Sequence, residues 1–122
     1  MRGGIFLLIA ANKENDTIVA QIGGELDHHT VALIKNRLDD MLNDQSIKNI
    51  VIDVSDLSFM DSSGIGLFIG RFKTVSFRGG KLAVTGIKTN LHKVFEVSGL
   101  YRIVRSYDTV REALEDIRGY DG

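Results

Sequence analysis

The segment Ile47–Val54 (IKNIVIDV) constrains the fold most, because a run this rich in β-branched apolar residues reads as a central strand buried on both faces. Such a strand needs helices packed over it, and the residues that follow supply them. After a loop over Ser55–Met60, apolar spacing predicts a helix from about Ser62 to Phe77, with Ile65, Phe68, Ile69, Phe72 and Val75 facing inward. Gly79-Gly80 ends that helix, and Lys81–Thr85 forms the next strand. Thr89 is placed to cap a short helix carrying Leu91, Val94 and Phe95, closed by Ser98-Gly99. Arg102–Arg105 is short and strand-like. Thr109 and Glu112 then have capping-box spacing for a last helix bearing Val110, Ala113, Leu114 and Ile117.

Upstream, Ile5–Ala11 (IFLLIAA) reads as a first strand buried on both faces. It is too short for a membrane span of about 20 residues, and Asn12–Asp16 interrupts it as a turn, so a targeting signal is not the preferred reading. Thr17–Leu26 is a second strand, antiparallel to the first because the connection is so short. Asp27 is placed to N-cap a helix with Val31, Ile34, Leu38, Met41 and Leu42 on one face. The order is ββαβαβαβα. It predicts an α/β fold with a single mixed, mostly parallel sheet, one antiparallel edge, and helices packed against it. At 122 residues, 43% hydrophobic and 25% charged, the chain is expected to form one domain over residues 1–122, and no proline or low-complexity tract marks a linker. A formal charge of −1 provides no basic field for nucleic acid or anionic lipid. The absence of cysteine excludes disulfides, thiolate nucleophiles and Cys-based metal sites, and agrees with a cytoplasmic location.

Chemistry concentrates in Leu57–Arg71 (LSFMDSSGIGLFIGR), where Asp61, Ser62 and Ser63 put a carboxylate and two hydroxyls at the start of a helix. Three roles fit: a helix cap, a nucleophile or a phosphorylation switch. A nucleophile needs a histidine base oriented by a carboxylate; the histidines are His28, His29 and His92, and the Gly-x-Ser-x-Gly elbow is absent. Gly64, Gly66 and Gly70 are one residue off the dinucleotide fingerprint, and no P-loop occurs. Gly66 and Gly70 share a helix face, which assigns them to close packing on the sheet or a partner. Asp27, Asp53, Asp56 and Asp61 are expected to gather at the carboxyl edge of the sheet. Clustered carboxylates suit a hard cation, but turn and cap chemistry accounts for them without a metal. His28 and His29 are adjacent, so on a helix they point apart and chelate poorly. Lys88, His92, Lys93, Arg102 and Arg105 form a basic surface without interleaved aromatics, which reads as a solvated face or a rim for an acidic protein.

Three blocks carry a resemblance. Gly24-Glu25-Leu26-Asp27-His28-His29-Thr30, then Leu57-Ser58-Phe59-Met60-Asp61-Ser62-Ser63-Gly64-Ile65-Gly66, then Val94-Phe95-Glu96-Val97-Ser98-Gly99-Leu100, resemble the anti-sigma factor antagonists of the STAS domain family. They are nearest to the antagonists that control sporulation. Met1–Ala11 depart from the family's usual start, and Asp53-Val54 is a variant found more broadly in STAS domains. The resemblance implies a non-enzymatic partner switch with no cofactor and no metal. The unphosphorylated antagonist binds an anti-sigma factor that is also a serine kinase, which frees a sigma factor. Phosphorylation by that kinase breaks the complex, and a serine phosphatase resets it. By position, Ser62 is the implied phosphoacceptor, Asp27 and Asp61 belong beside it, and Ser63 and Gly64 belong to the binding edge. Direct contact with nucleic acid or membrane is not implied. A STAS module of another stress-signalling or transport complex has the same fold with a different partner. A small nucleotide-binding enzyme would instead show turnover or nucleotide affinity as the isolated protein. The residues do not say whether His28, His29 or Lys93 touches the partner.

Overall fold

The computed structural model describes residues 7–119. Strands β1 (Leu7–Glu14) and β2 (Thr17–Leu26) form a hairpin, followed by α1 (Val31–Leu42), β3 (Asn49–Met60), α2 (Ser62–Phe77), β4 (Leu82–Thr85), α3 (Thr89–Ser98), a 3₁₀ turn (Leu100–Arg102), β5 (Arg105–Tyr107) and α4 (Val110–Arg118). The sheet order is β1-β2-β3-β4-β5, with β1 antiparallel to β2 and every other pair parallel. This is the mixed, mostly parallel α/β architecture expected from the strand–helix alternation.

Handedness then decides where the helices go. Strands β2 to β5 are added in one direction, so right-handed crossovers put α1, α2 and α3 on one face. There the main core forms around Ile34, Leu38, Phe68, Phe95 and the inward residues of β2 and β3. After β5 the chain returns over the other face as α4, where Ala113 packs on Val51 and Ala83, flanked by Tyr107, Val110, Leu114 and Ile117. The Thr109–Glu112 capping box is present in both directions.

Several boundaries differ from expectation, each for a local reason. β1 is an edge strand and is not buried on both faces: Ala10 is exposed, and the strand runs on through Asn12-Lys13-Glu14. Only Asn15-Asp16 turn, with Asn15 at φ 56°, a conformation asparagine tolerates. Ile5 and Phe6 lie outside the described residues. β3 is longer than predicted, because Ser55–Met60 is no loop: its backbone pairs with Gly23–Leu26 through two irregularities in register. α1 starts at Val31, one turn after Asp27. Lys88, and not Thr89, is the N-cap of α3. Ile103 and Val104 precede the last strand, which begins at Arg105.

The phase of α2 also differs. Its buried residues are Gly64, Leu67, Phe68, Arg71 and Val75, while Ile65 and Phe72 are only partly covered and Ile69 is 37% exposed. Apolar residues occur all round this helix, so periodicity alone gave its phase poorly. The buried Gly64 sets it instead. Arg71 lies along the core with its guanidinium 3.4 Å from Asp39 of α1, its aliphatic stem covering apolar surface. Gly66 and Gly70 face away from the sheet; among the described residues no atom beyond their own stretch of helix lies within 4 Å of an added Cβ, so they do not serve close packing there.

The opposite end of α2 is fixed by its own chemistry. The Arg78 guanidinium donates to the carbonyls of Leu42 (2.7 Å) and Ile47 (2.9 Å), capping the end of α1. A Cβ on Gly80 would lie 1.6 Å from the Lys48 carbonyl oxygen. These two glycines give opposite expectations. Gly80→Ala should lower stability by about 3 kcal/mol, the upper range for overpacking against backbone. Gly66→Ala, on an open helix face, should raise it by about 0.5–1 kcal/mol. Urea unfolding of the two variants checks both signs.

Candidate functional site

β2 and β3 end together. Leu26 and Met60 are the last parallel partners, and the Asp61 N–H donates to the Leu26 carbonyl at 3.2 Å. Asp27 and Asp61 therefore leave the sheet side by side. Asp61 is the N-cap of α2: its Oδ1 accepts from the Ser63 N–H at 2.8 Å, and its carbonyl accepts from Gly64 (3.0 Å) and Ile65 (3.2 Å). Three of the helix's first N–H groups are thus satisfied by one extended residue. Ser62 occupies the first helical position, exposed, and its hydroxyl makes no hydrogen bond among the described residues. Ser63 is half-buried behind it.

Gly64 explains how the helix comes so close. A Cβ there would sit 2.3 Å from Met60 Cγ and 3.0 Å from Leu26 Cδ2. A glycine lets the first turn of α2 rest on the ends of both strands, the close approach that sequence spacing had assigned to Gly66 and Gly70.

Asp27 caps a turn and not a helix. Its Oδ1 accepts from the His29 N–H (2.9 Å) and the Thr30 N–H (3.1 Å), while the Thr30 hydroxyl donates to the Glu25 carbonyl (2.8 Å) and accepts from the Asp27 N–H (3.0 Å). Desolvation pushes the Asp27 carboxyl up. The two backbone donors, the Thr30 hydroxyl and the nearby His29 outweigh it, and the group ionises below its ordinary value of 3.8.

The expected gathering of four carboxylates is half realised. Because β3 runs on to Met60, Asp53 and Asp56 lie part-way along it, away from Asp27 and Asp61: Asp53 accepts from the Ser55 N–H (2.9 Å) and Asp56 from Gln21 (3.2 Å). Among the described residues no group of three or more His, Asp or Glu side chains is placed to hold a metal.

His28 and His29 do not point apart. They stand in the turn before α1, with ring centroids 3.9 Å apart at a tilt of 40°, and His28 Nδ1 is 3.9 Å from Asp61 Oδ2. A helix-based reading could not find this, since the residues are not helical. It also missed an apolar groove of about 360 Å³ between α2 and α3, lined by Ile65, Val94 and Val97 with Lys93 and Ser98 at its rim; the i, i+3 spacing of Val94 and Val97 was its signal. Aromatic rings do lie among the later basic residues: His92 Nδ1 is 2.7 Å from the Tyr101 hydroxyl, and Arg105 shares Asp116 with Tyr107.

Comparison with known proteins places this geometry. The family model of the STAS domain matches residues 9–113. The chain is 32% identical to an anti-sigma F factor antagonist of Paenibacillus polymyxa, over 91% of this chain and 95% of that one. It is also similar to the solved structure of the unphosphorylated anti-sigma factor antagonist SpoIIAA, with a TM-score of 0.82 and 30% identity, covering 94% of this chain and 100% of that one. The phosphorylated form of the Bacillus cell fate determinant SpoIIAA matches with a TM-score of 0.71 and 30% identity, over 88% and 96% of the two chains.

Two substitutions separate the local roles. Asp61→Ala should cost about 1 kcal/mol through loss of the cap. Asp27→Asn acts on pH dependence: a carboxyl with a lowered folded value stabilises above its ordinary value and loses that contribution as pH falls through the lowered one. Wild type should therefore lose stability on acidification below the ordinary 3.8, and Asp27→Asn should lose less over the same interval, read as thermal midpoints along a pH series.

Proposed function

The chain belongs to the STAS domain family, and from that premise we propose that it is an anti-sigma factor antagonist whose switch is phosphorylation of Ser62. The observation that carries the proposal is the exposed Ser62 hydroxyl at the first position of α2, beside the capping Asp61. In its unphosphorylated form the protein binds an anti-sigma factor that is also a serine kinase and so frees a sigma factor in the cytoplasm. The kinase transfers the γ-phosphoryl of ATP to the Ser62 oxygen, the serine proton is lost, ADP leaves, and the complex dissociates. A serine phosphatase hydrolyses the ester and restores the hydroxyl. Asp27, Asp61 and Ser63 form the edge the partner meets; Gly64, expected there from the sequence, is buried behind them and holds the first turn of α2 against Met60 and Leu26. Control of sporulation fits the likeness to anti-sigma F factor antagonists. The chain's part is to bind and to be modified, with no catalytic step of its own.

The physics of release follows from the position of Ser62. A phosphate adds about −1.5 to −2 charges. At a helix N-terminus an anion is favoured by roughly 0.3–1 kcal/mol, so the modification leaves the fold intact. A partner carboxylate ~6 Å away is repelled by roughly 1–5 kcal/mol for effective dielectrics between 80 and 20, and steric exclusion adds to this. Repulsion at the interface therefore outweighs the local gain.

The test begins with mass spectrometry of the purified protein after incubation with the anti-sigma kinase and ATP. One phosphate mapped to Ser62 is the expected result. Ser62→Asp, which carries one charge where the phosphate carries up to two, should bind the kinase roughly three- to a hundredfold more weakly with an unchanged circular dichroism spectrum, by the same charge argument. Ser62→Ala should bind and not be released by ATP. Equal binding by Ser62→Asp and wild type would remove the electrostatic account.

A further inference from the structure

We infer that the turn between β2 and α1 holds the His28 imidazole in place to bind a phosphoryl group on Ser62. The inference rests on the reading of Ser62 as the modified residue, and it adds a contact within this chain that the charge argument leaves open. A phosphate on Ser62 places a dianion one residue from the Asp61 carboxylate, and neighbouring Cα atoms are about 3.8 Å apart. The helix end offers only about half a positive charge against it. Among the described residues, His28 is the one side chain able to carry positive charge within 4 Å of Asp61.

Its placement is built and not incidental. Asp27 and Thr30 fix the backbone through four hydrogen bonds, and Thr30 is 1% exposed. The His28 side chain they present is 70% exposed, so the turn is rigid underneath and open above. At 3.9 Å the imidazole is too far from Asp61 to be hydrogen-bonded to it. Its other neighbour is the His29 ring, which backs it at 3.9 Å. Neither contact is a hydrogen bond, so the ring nitrogens are available, and an imidazolium beside Asp61 would be drawn both to that carboxylate and to a phosphate on the next residue. Among the described residues, Asp61 from the start of α2 and His29 from the same turn are the titratable groups facing His28, and Asp27 in turn lies close to His29.

The test uses the full chain carrying phosphoserine at position 62, incorporated during translation so that no kinase is needed, and reads the second ionisation of the phosphate by ³¹P NMR. In wild type this ionisation should fall below that of the same chain unfolded in urea. His28→Asn should raise it by about half to one unit, a roughly three- to tenfold weaker acid, as loss of a nearby opposite charge requires. His28→Lys, which keeps a cation there, should restore the low value. Identical titrations for wild type and His28→Asn would overturn the inference, and so would a His28→Lys protein that titrates like His28→Asn. Failure of the kinase to modify Ser62 would instead count against the proposed switch and leave this titration intact.

Discussion

The hydrogen bond from the Asp61 N–H to the Leu26 carbonyl is the joint on which the site depends. It continues the pairing of β2 and β3 one residue past the last strand partners, just where the chain turns into α2. The same residue then caps that helix with its carboxylate. Sheet and helix are thereby joined through a single extended residue, and Ser62 follows it directly. Gly64 completes the joint by removing the side chain that would push the first turn off Met60 and Leu26. The exposed hydroxyl is a consequence of this packing: among the described residues it makes no hydrogen bond that a modification would have to break.

That arrangement suits a signal written in charge. A phosphate at the first position of a capped helix meets a favourable dipole and disturbs no core residue. The larger electrostatic effect falls on whatever protein covers the helix end. The fold is therefore a rigid presenter, and switching takes place at its surface. Gly66 and Gly70 fit the same view, since both sit on the open side of α2 where nothing within the domain requires them.

The architecture was legible because its signals are periodic. The β-branched run at the centre of β3, the strand–helix alternation and the Thr109–Glu112 box each rest on local rules that tertiary packing did not override. What was not legible depended on pairing between distant segments. Ser55–Met60 looks like a polar loop until β2 provides a partner, and that extra length carries Asp53 and Asp56 away from Asp27 and Asp61. The phase of α2 was ambiguous because apolar residues surround it, and one buried glycine decided it. In the site, Asp61 was visible as the cap of α2, with Ser62 after it at the helix start. The approach of His28 to Asp61 was not, since it depends on where β2 ends relative to β3.

On the proposed switch, phosphate on Ser62 releases the partner without altering the domain. Amide correlation spectra of the ¹⁵N-labelled chain, with and without that phosphate, recorded before and after adding the anti-sigma kinase, test it most directly. Free-state differences should be confined to residues 26–31 and 60–66, with line broadening by the kinase only in the unphosphorylated protein. Shifts spread through β4, β5 and α4 on phosphorylation, or equal broadening of both forms, would contradict it.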